Sequence, residues 1–209
     1  MRVDVDPETV GRREFYALLN SVVVPRPIAW VSSRSADGVL NLAPHSFFTV
    51  SCVKPPMVQF TSVGRKDSLN NVEATGEFVV NFAAEPLYEQ VNASGTNFPP
   101  EVSEFEAIGV TTEPSRTISV PRVAESPVAI ECTLHTTLEL GDCTLVIGQV
   151  RHLAIDAAMM DGDHPEVRRL RPLARLGKDE WSTLGEVRSI TRIRHSDWPG
   201  HFTPPGNSD

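Results

Sequence analysis

Residues 128–155, VAIECTLHTTLELGDCTLVIGQVRHLAI, decide the fold class of this chain. Apolar side chains alternate with polar ones over most of this stretch, and Gly141-Asp142 interrupts the alternation in the middle. A period of two is typical of β-strands, and a Gly-Asp pair between two such runs is typical of a tight turn. The stretch therefore predicts a long antiparallel hairpin with strands at 128–140 and 144–155.

The chain before this hairpin shows the same period in shorter runs. Runs of β-branched or aromatic residues, bounded by Pro, Gly, Asn or Asp, predict strands at 22–24, 28–32, 39–42, 47–51, 57–61 and 77–83. Asp37-Gly38 predicts a hairpin turn between 28–34 and 39–42. Seven or eight short strands favour a mainly β protein, a small closed or partly closed Greek-key-like barrel with a few short helices.

The predicted helices are short. One follows the cap Asp6-Pro7-Glu8 within the first twenty residues, one spans 67–75 with Asp67 or Ser68 as its cap, and one spans 86–92. Residues 93–126 lack periodicity, and we interpret them as an excursion over the surface with at most short strands, which can serve as a lid. We divide the chain into a helical arm (1–20), a barrel domain (21–185) and an extension (186–209) that ends in a flexible tail from Pro199.

Composition excludes several classes of protein. Of the 209 residues, 40% are hydrophobic and 22% charged, which is enough apolar material for a core. A net charge of −8 argues against nucleic acid or an anionic membrane surface as a partner. The chain shows no membrane span, no apolar secretion segment and no C-x-x-C pair, so we expect a soluble cytoplasmic protein without a disulfide framework.

Basic side chains are concentrated in residues 166–194, where eight arginines and lysines face four acidic residues. Such a segment can collect an anionic ligand. Its arginines can equally pair with the acidic remainder of the chain, and that interpretation is favoured for most of them.

Residues 61–70, TSVGRKDSLN, combine the features of a phosphate site. A strand is predicted to end at Thr61, a loop with Ser62, Arg65 and Lys66 follows, and a helix begins at Asp67-Ser68. Free backbone N–H groups and the positive end of the helix dipole attract anions at such a point. Lys66 adds weight because the chain has only three lysines. The alternative is an exposed basic turn beside an ordinary helix cap.

Residues 41–48, NLAPHSFF, offer polar groups beside apolar rings. Flat heteroaromatic ligands need apolar faces and a few fixed polar contacts at their edge. His45 is a candidate for a catalytic role, although a hydrogen-bonded structural histidine is the commoner case. Just upstream, Arg26 stands rigidly between two prolines, whereas Trp30 is expected in the core.

Several familiar sites are not present in the sequence. It has no G-x-G-x-x-G after a strand, no P-loop, no G-x-S-x-G elbow and no H-E-x-x-H helix. The stretch DGDHPE, 161–166, lacks the glycine and the distal glutamate of an EF-hand loop, so a solvated turn explains it better than a metal site.

The chain resembles the flavin reductase-like family, whose members have an FMN-binding split β-barrel. The resemblance is carried, in order, by PRPIAWVSS (25–33), NLAPHSFF (41–48), PPMVQF (55–60), RKDSLNN (65–71), EFVVN (77–81), the region of Glu104-Phe105, Val123–Cys132, Ile147–Val150 and PLARLGKDEWSTLG (172–185). It covers roughly residues 20–185. Lys178 and Trp181 depart from the family's usual glycine and tyrosine in the last block.

The resemblance implies a homodimer with FMN at its interface and NADH or NADPH as co-substrate. The family pattern places the flavin ring against Asn41, Ala43, Pro44, His45, Ser46 and Phe47, and the phosphate near Thr61, Ser62, Arg65, Lys66 and Ser68. Arg175, in the last block, then reaches a flavin or nicotinamide phosphate, and we include Arg26 among the cofactor-binding candidates. No metal site is expected.

Three functions are open on this basis. The first is an NAD(P)H-dependent FMN reductase that passes electrons to an acceptor such as a monooxygenase. In this chemistry the cofactor carries the hydride transfer, so His45 is the only catalytic candidate. The second is a non-enzymatic FMN-binding electron carrier, and the third is a barrel that binds another phosphorylated ligand, such as pyridoxal phosphate or a haem relative.

Overall fold

The computed structural model describes residues 1–198. Its helices are α1 (Arg12–Val22), α2 (Asp67–Thr75), α3 (Tyr88–Ala93), α4 (Glu104–Ile108) and α5 (Val167–Leu170), and single 3₁₀ turns lie at Glu85–Leu87, Ala157–Met159 and His195–Asp197. Its strands are β1 (Arg26–Pro27), β2 (Ala29–Arg34), β3 (Leu40–His45), β4 (Phe48–Cys52), β5 (Met57–Val63), β6 (Glu77–Phe82), β7 (Thr112–Glu113), β8 (Arg122–Val123), β9 (Val128–Leu140), β10 (Cys143–Ile155), β11 (Met160–Asp161), β12 (His164–Pro165), β13 (Ala174–Arg175) and β14 (Trp181–Ser182).

One antiparallel sheet organises the part of the chain that the structure describes. Seven strands pair in the order β3-β2-β6-β9-β10-β5-β4, and β1, β13 and β14 form a small separate sheet. The long hairpin predicted for 128–155 is confirmed as β9 and β10, joined at Gly141, which has a φ of 63°. The prediction of a mainly β chain with a few short helices is also confirmed.

The barrel interior is filled by side chains from most of these strands. Val31, Phe60, Phe78 and Val146 are buried in one apolar cluster. Gly148 of β10 lies against this cluster, where a Cβ would stand only 2.3 Å from Cζ of Phe78. The interior therefore accepts the Phe78 ring because residue 148 has no side chain.

The predicted hairpin between 28–34 and 39–42 is confirmed as β2 and β3, and Gly38 has a φ of 92° in its turn. β3 runs further than expected, to His45, and it is an edge strand of the sheet. An edge strand tolerates Pro44, which has no N–H to donate to a neighbour. The predicted polar stretch 41–48 thus begins inside a strand.

The strand predicted at 22–24 is wrong. Helix α1 continues to Val22, and the Arg26 guanidinium donates to the backbone carbonyls of Asn20 and Val23 (3.0 Å) at its end. The same guanidinium also donates to the carbonyl of Leu176 at 2.8 Å. An arginine that binds the last carbonyls stabilises a helix terminus. The valines therefore belong to the helix end and the loop that follows it.

The helix start predicted after Asp6 is also wrong, because α1 begins at Arg12. The Asp6 carboxylate accepts from the backbone N–H of Glu8 at 2.8 Å, and this bond caps an isolated turn. The helix predicted at 86–92 is observed as the 3₁₀ turn Glu85–Leu87 followed by α3.

The interpretation of 93–126 as a surface excursion is wrong in its main point. The segment contains α4 and the short strands β7 and β8, and it buries Phe105, Val110, Val120 and Val123. Phe105, Val110 and Val123 pack with Trp30 in a second apolar cluster, so β2 is buried on both faces. The apolar residues of this segment are too widely spaced along the chain to show a period.

Two carboxylates hold this segment against the sheet. Glu131, fully buried on β9, accepts from the N–H groups of Arg116 (2.8 Å) and Thr117 (2.7 Å) and from the Thr117 hydroxyl (2.6 Å). Glu77 on the neighbouring strand accepts from the N–H and the hydroxyl of Ser119. The loop 115–119 is therefore fixed by side chains of the barrel.

Among residues 1–198 no helix is long and apolar enough to cross a membrane. The flexible tail predicted from Pro199 lies outside the described residues.

Candidate functional site

A cleft of about 510 Å³ opens along the free edge of β3. Its walls include the end of β5, the first turn of α2 and residues 94–98. Ten of the residues predicted to bind a cofactor line this one cleft: Asn41, Ala43, Pro44, His45, Ser46, Phe47, Thr61, Arg65, Lys66 and Ser68. The two polar stretches of the sequence analysis therefore meet in space.

Three predicted residues do not line the cleft. Ser62 is buried, and its hydroxyl donates to the carbonyl of Gly64 at 2.8 Å. Arg26 and Arg175 line a smaller cavity beside the cleft.

Several residues of the cleft were not predicted: Tyr16, Val63, Asp67, Ser94, Gly95, Thr96, Asn97, Phe98 and Glu104. Tyr16 comes from α1, and its ring lies 6.5 Å from that of Phe47. Ser94 is held by the Trp30 indole, whose Nε1 donates to its hydroxyl at 2.9 Å. The interpretation of 93–126 as a lid was the only prediction that concerned residues 94–98. No sequence signal places Tyr16 in the cleft.

Helix α2 presents an uncapped N-terminus to the cleft. Its N-cap is Lys66, in an extended conformation and without a side-chain cap, whereas Asp67 or Ser68 was predicted to cap it. Both residues lie instead inside the first turn of the nine-residue helix. The first N–H groups and the positive end of the dipole are therefore free to meet an anion.

The two basic residues of this loop have different partners. The Arg65 guanidinium pairs with Glu73 at 2.5 Å and donates to Asn70 at 3.1 Å, so it lies along α2. The Lys66 ammonium has no ion-pair or hydrogen-bond partner within residues 1–198. Lys66 is therefore the cation that the fold leaves for a ligand.

A buried hydrogen-bond network connects the two stretches beneath the cleft. Asn41 Nδ2 donates to the Ser68 hydroxyl at 3.1 Å, and Ser68 Oγ lies 3.2 Å from His45 Nε2. Since a second hydrogen bond joins the His45 ring to the Thr61 backbone, Nε2 accepts from Ser68 in the neutral imidazole. Burial lowers the pKa of His45 to about 4; the bond to Thr61 opposes this shift and the Lys66 charge adds to it. His45 is neutral at pH 7.

The lowered pKa of His45 predicts a loss of stability in mild acid. The pKa of this side chain is normal in the unfolded chain and about 4 in the folded protein. The neutral ring therefore stabilises the fold above pH 6.5, and this contribution is lost as the pH falls toward 4. We expect the free energy of unfolding to fall by about 2 kcal/mol between pH 7 and pH 5 through this group. Urea unfolding at both pH values tests this, with His45→Gln as the matched variant. An equal fall in the variant would show that other groups are responsible.

Glu104 contributes a buried carboxylate to the opposite wall. Its Oε2 accepts from the backbone N–H of Leu42 at 2.9 Å, on the free edge of β3. Burial and the neighbouring Asp67 raise the pKa of Glu104, and the Leu42 bond opposes this. The carboxylate covers an unpaired N–H that an edge strand would otherwise expose.

Within residues 1–198 no three metal-ligating side chains lie close enough to hold an ion. The DGDHPE stretch forms the two-stranded hairpin β11–β12, with Gly162 at a φ of 64°.

Comparison with known proteins identifies the family. The model of the flavin reductase like domain matches residues 21–169. The chain belongs to the flavin reductase-like family. The family prediction made from the sequence blocks is confirmed, and membership makes the protein an oxidoreductase that uses a flavin.

Three solved structures illustrate this membership. The nitrilotriacetate monooxygenase component B of Bacillus cereus is 32% identical, with a TM-score of 0.88 over 91% of this chain and 99% of that one. The 2-nitrobenzoate 2-nitroreductase NbaA of Pseudomonas fluorescens is 28% identical, with a TM-score of 0.87 over 98% of this chain and 100% of that one. A Shewanella frigidimarina structure with a split barrel domain is 21% identical, with a TM-score of 0.81 over 89% of this chain and 96% of that one. The split β-barrel prediction is confirmed.

Proposed function

We propose that this flavin reductase-like protein binds FMN in the cleft beside β3 and reduces it with NAD(P)H, passing the electrons to an acceptor. One observation carries the proposal: a single cleft contains both the uncapped N-terminus of α2 with Lys66 and a wall that joins apolar side chains to a few polar groups. The helix N-terminus and the lysine suit a phosphate, and the wall suits a flat ring.

The residues present fit this cofactor. A volume of about 510 Å³ lies in the range of small-molecule sites, roughly 300–1,000 Å³. Lys66 and the first turn of α2 would hold the phosphate, while Pro44, Phe47 and Tyr16 would contact the ring. The backbone of β3 between Asn41 and His45 would supply polar contacts at the ring's edge.

Bound flavin supplies the redox chemistry, since it can accept hydride and release electrons. The protein's own part is to bind, orient and shield the ring. His45 is neutral and already hydrogen-bonded through Ser68, so it would keep the floor of the cleft rigid and uncharged. A catalytic part for His45 would require a hydrogen bond to the ligand through a rearranged Ser68.

A homodimer is part of the proposal. None of the α1 residues is buried in the single chain, and its exposed side chains include the apolar Leu18, Leu19 and Val22. The loop after it adds exposed Val23 and Val24 beside the cleft. A second copy of this chain would cover this apolar surface, which monomers rarely leave in contact with water.

The acceptor is proposed from similarity. The Bacillus cereus protein, 32% identical, is named as a component of a monooxygenase. We therefore propose a monooxygenase as the partner that receives the electrons, and the cytoplasm as the compartment, with no nucleic-acid or membrane partner.

Titration with FMN tests the cofactor assignment. We expect the double variant Lys66→Ala, Ser68→Ala to bind FMN at least tenfold more weakly, equivalent to about 1.4 kcal/mol, because the phosphate loses a cation and a hydroxyl near its helix terminus. Quenching of flavin fluorescence gives the dissociation constant. The single variant Lys66→Ala separates the ligand contact from any effect of Ser68 on folding.

Lys54→Ala is the matched control, since Lys54 is an exposed lysine outside the cleft. Equal affinities of the wild type and both cleft variants would exclude the phosphate position.

Oxidation of NADH or NADPH with FMN present then separates the reductase from an electron carrier: a protein that binds FMN but consumes no nicotinamide would be a carrier. If the wild type does not bind FMN, both flavin functions are excluded and the third function, binding of another phosphorylated ligand, is left.

A further inference from the structure

Glu104 is a buried carboxylate in the wall of the cleft. It is only 6% exposed, it is the first residue of α4, and it lines the cleft together with Asn41 and Lys66. Buried carboxylates are normally paired with a cation or held by several hydrogen bonds. Within residues 1–198 Glu104 forms no ion pair, and its donors are the backbone N–H of Leu42 at 2.9 Å and its own N–H. Its charge is therefore weakly supported.

Glu131, which is also buried, shows the opposite case. It accepts three hydrogen bonds from Arg116 and Thr117, and the Arg122 guanidinium lies 3.8 Å away. These hydrogen bonds outweigh burial and lower the pKa of Glu131. In Glu104 burial outweighs the two backbone N–H groups and raises the pKa. Of the two buried carboxylates, Glu104 is thus the one whose surroundings favour a proton.

Glu104 lies beside the anion-binding end of α2. Asn41 Nδ2 donates to the Ser68 hydroxyl in the first turn of α2 at 3.1 Å, and the next residue of β3, Leu42, donates to Glu104. Asp67, in the same turn of α2, is near enough for its charge to raise the pKa of Glu104 further. Two carboxylates therefore lie beside the N–H groups that would hold a phosphate.

The cations of the cleft do not neutralise Glu104. The Arg65 guanidinium is paired with Glu73 along α2. Lys66, which the proposed function assigns to the phosphate, forms no ion pair with Glu104. His45, at the end of β3, is neutral at pH 7. A phosphate would thus add its negative charge to a wall that is already acidic.

A phosphate monoester carries about −1.5 to −2 charges at pH 7. Burial and nearby like charges both penalise the charged form of a carboxylate. We infer that Glu104 takes up a proton from the solvent when FMN enters the cleft, and that the neutral acid is then a hydrogen-bond donor in the cleft wall. Its Oε2 can still accept from the Leu42 N–H while the other oxygen carries the proton. This inference rests on the proposed function.

The number of protons taken up on binding tests the inference directly. Calorimetric titration of the full chain with FMN at pH 7, in two buffers of different ionisation enthalpy, gives this number. We expect the wild type to take up more protons than Glu104→Gln, because the amide keeps an acceptor for the Leu42 N–H but does not titrate. Glu106→Gln is the matched control, since Glu106 is an exposed carboxylate of the same helix and should not change the uptake.

The pH dependence of FMN affinity has a defined sign. The neutral acid admits the phosphate more readily than the carboxylate does, so the affinity of the wild type should fall relative to that of Glu104→Gln as the pH rises from 6 to 8.5. We expect a relative fall of about tenfold, which corresponds to a difference of about one pKa unit between free and bound protein. The FMN phosphate itself titrates with a pKa of about 6, and this effect is common to both proteins. At pH 8.5 Glu104→Gln should therefore bind FMN more tightly than the wild type, a gain that a purely structural role of Glu104 would not produce.

The possible results are distinguishable. Equal proton uptake and equal pH profiles of the wild type and Glu104→Gln would overturn the inference and leave the proposed function standing. Weaker FMN binding by Glu104→Gln at both pH values would also overturn it, because the charged carboxylate would then assist the ligand. If Glu104→Gln does not fold, Asp67→Asn takes its place: the loss of this neighbouring charge should reduce the proton uptake, and an unchanged uptake would overturn the inference. Failure of the wild type to bind FMN would contradict the proposed function and this inference with it.

Discussion

Replacing Gly148 with alanine is expected to lower the free energy of unfolding by about 3 kcal/mol, at the upper end of the usual cost of overpacking. The new Cβ would stand 2.3 Å and 2.7 Å from Cζ and Cε1 of Phe78 and 3.1 Å from Cβ of Cys132. Phe78 is fully buried and packs edge-on against Phe60 at 5.4 Å, so its ring has no free space to enter. Urea unfolding at pH 7 measures the loss.

A double-mutant cycle sharpens this experiment. Phe78→Leu removes the ring atoms that the new methyl group would strike, so the double variant should be less destabilised than the sum of the two single variants. Gly185→Ala is the control, since its Cβ would meet nothing within 4 Å. Additive single effects, or a Gly148→Ala variant as stable as the wild type, would mean that Phe78 does not limit residue 148.

The second large effect on the free energy of unfolding is expected at Glu131, the buried carboxylate of β9. We expect Glu131→Ala to cost about 4 kcal/mol at pH 7, because two backbone N–H groups and the Thr117 hydroxyl lose a charged acceptor, and hydrogen bonds to charged groups contribute about 1.5–3 kcal/mol each. The Arg122 guanidinium, 3.8 Å away, also loses the Glu131 charge but keeps its ion pair with Glu113 at 2.7 Å. The loop 115–119 should then exchange its amide protons faster.

The pH dependence of this effect has a defined sign. Burial raises the pKa of Glu131, but the hydrogen bonds from Thr117 and Arg116 outweigh burial, so its pKa is lowered overall. The carboxylate therefore stabilises the fold above its pKa in the unfolded chain, and this contribution is lost as the pH falls through the lower folded value. The difference between wild type and Glu131→Ala should shrink in acid. Glu139→Ala, an exposed change on the same strand, should have little effect, and a cost for Glu131→Ala below 1 kcal/mol would contradict the assigned role.

Local patterns were sufficient for most of the fold. The alternation in 128–155 and the turns at Asp37-Gly38 and Gly141-Asp142 predicted both hairpins, because register and turn geometry depend on neighbouring residues. The valines at 22–24 were misread because a strand-like run cannot reveal that Arg26 binds the carbonyls at the end of α1. The segment 93–126 was misread because its core residues have no period along the chain.

The candidate site was likewise predictable from the sequence only in part. Ten of the predicted ligand residues lie in two short stretches and line one cleft. Tyr16 and Glu104 come from segments far away in sequence, so no local pattern placed them beside the cleft. Ser62 and Ser68 carry the same hydroxyl, yet Ser62 faces the Gly64 carbonyl and Ser68 joins the His45 network.

The amino-acid sequence by itself determined the strand periodicity, the turns, the resemblance to a flavin-binding family and the residue types that suit a phosphate and a flat ring. Only the tertiary structure decided which charges form ion pairs: Arg65 pairs with Glu73, whereas Lys66, Arg175 and Lys178 line cavities and form no ion pair within residues 1–198. The physical reason is that periodicity arises from backbone geometry between near neighbours. Burial, pKa and free charge instead depend on groups brought together from distant parts of the chain.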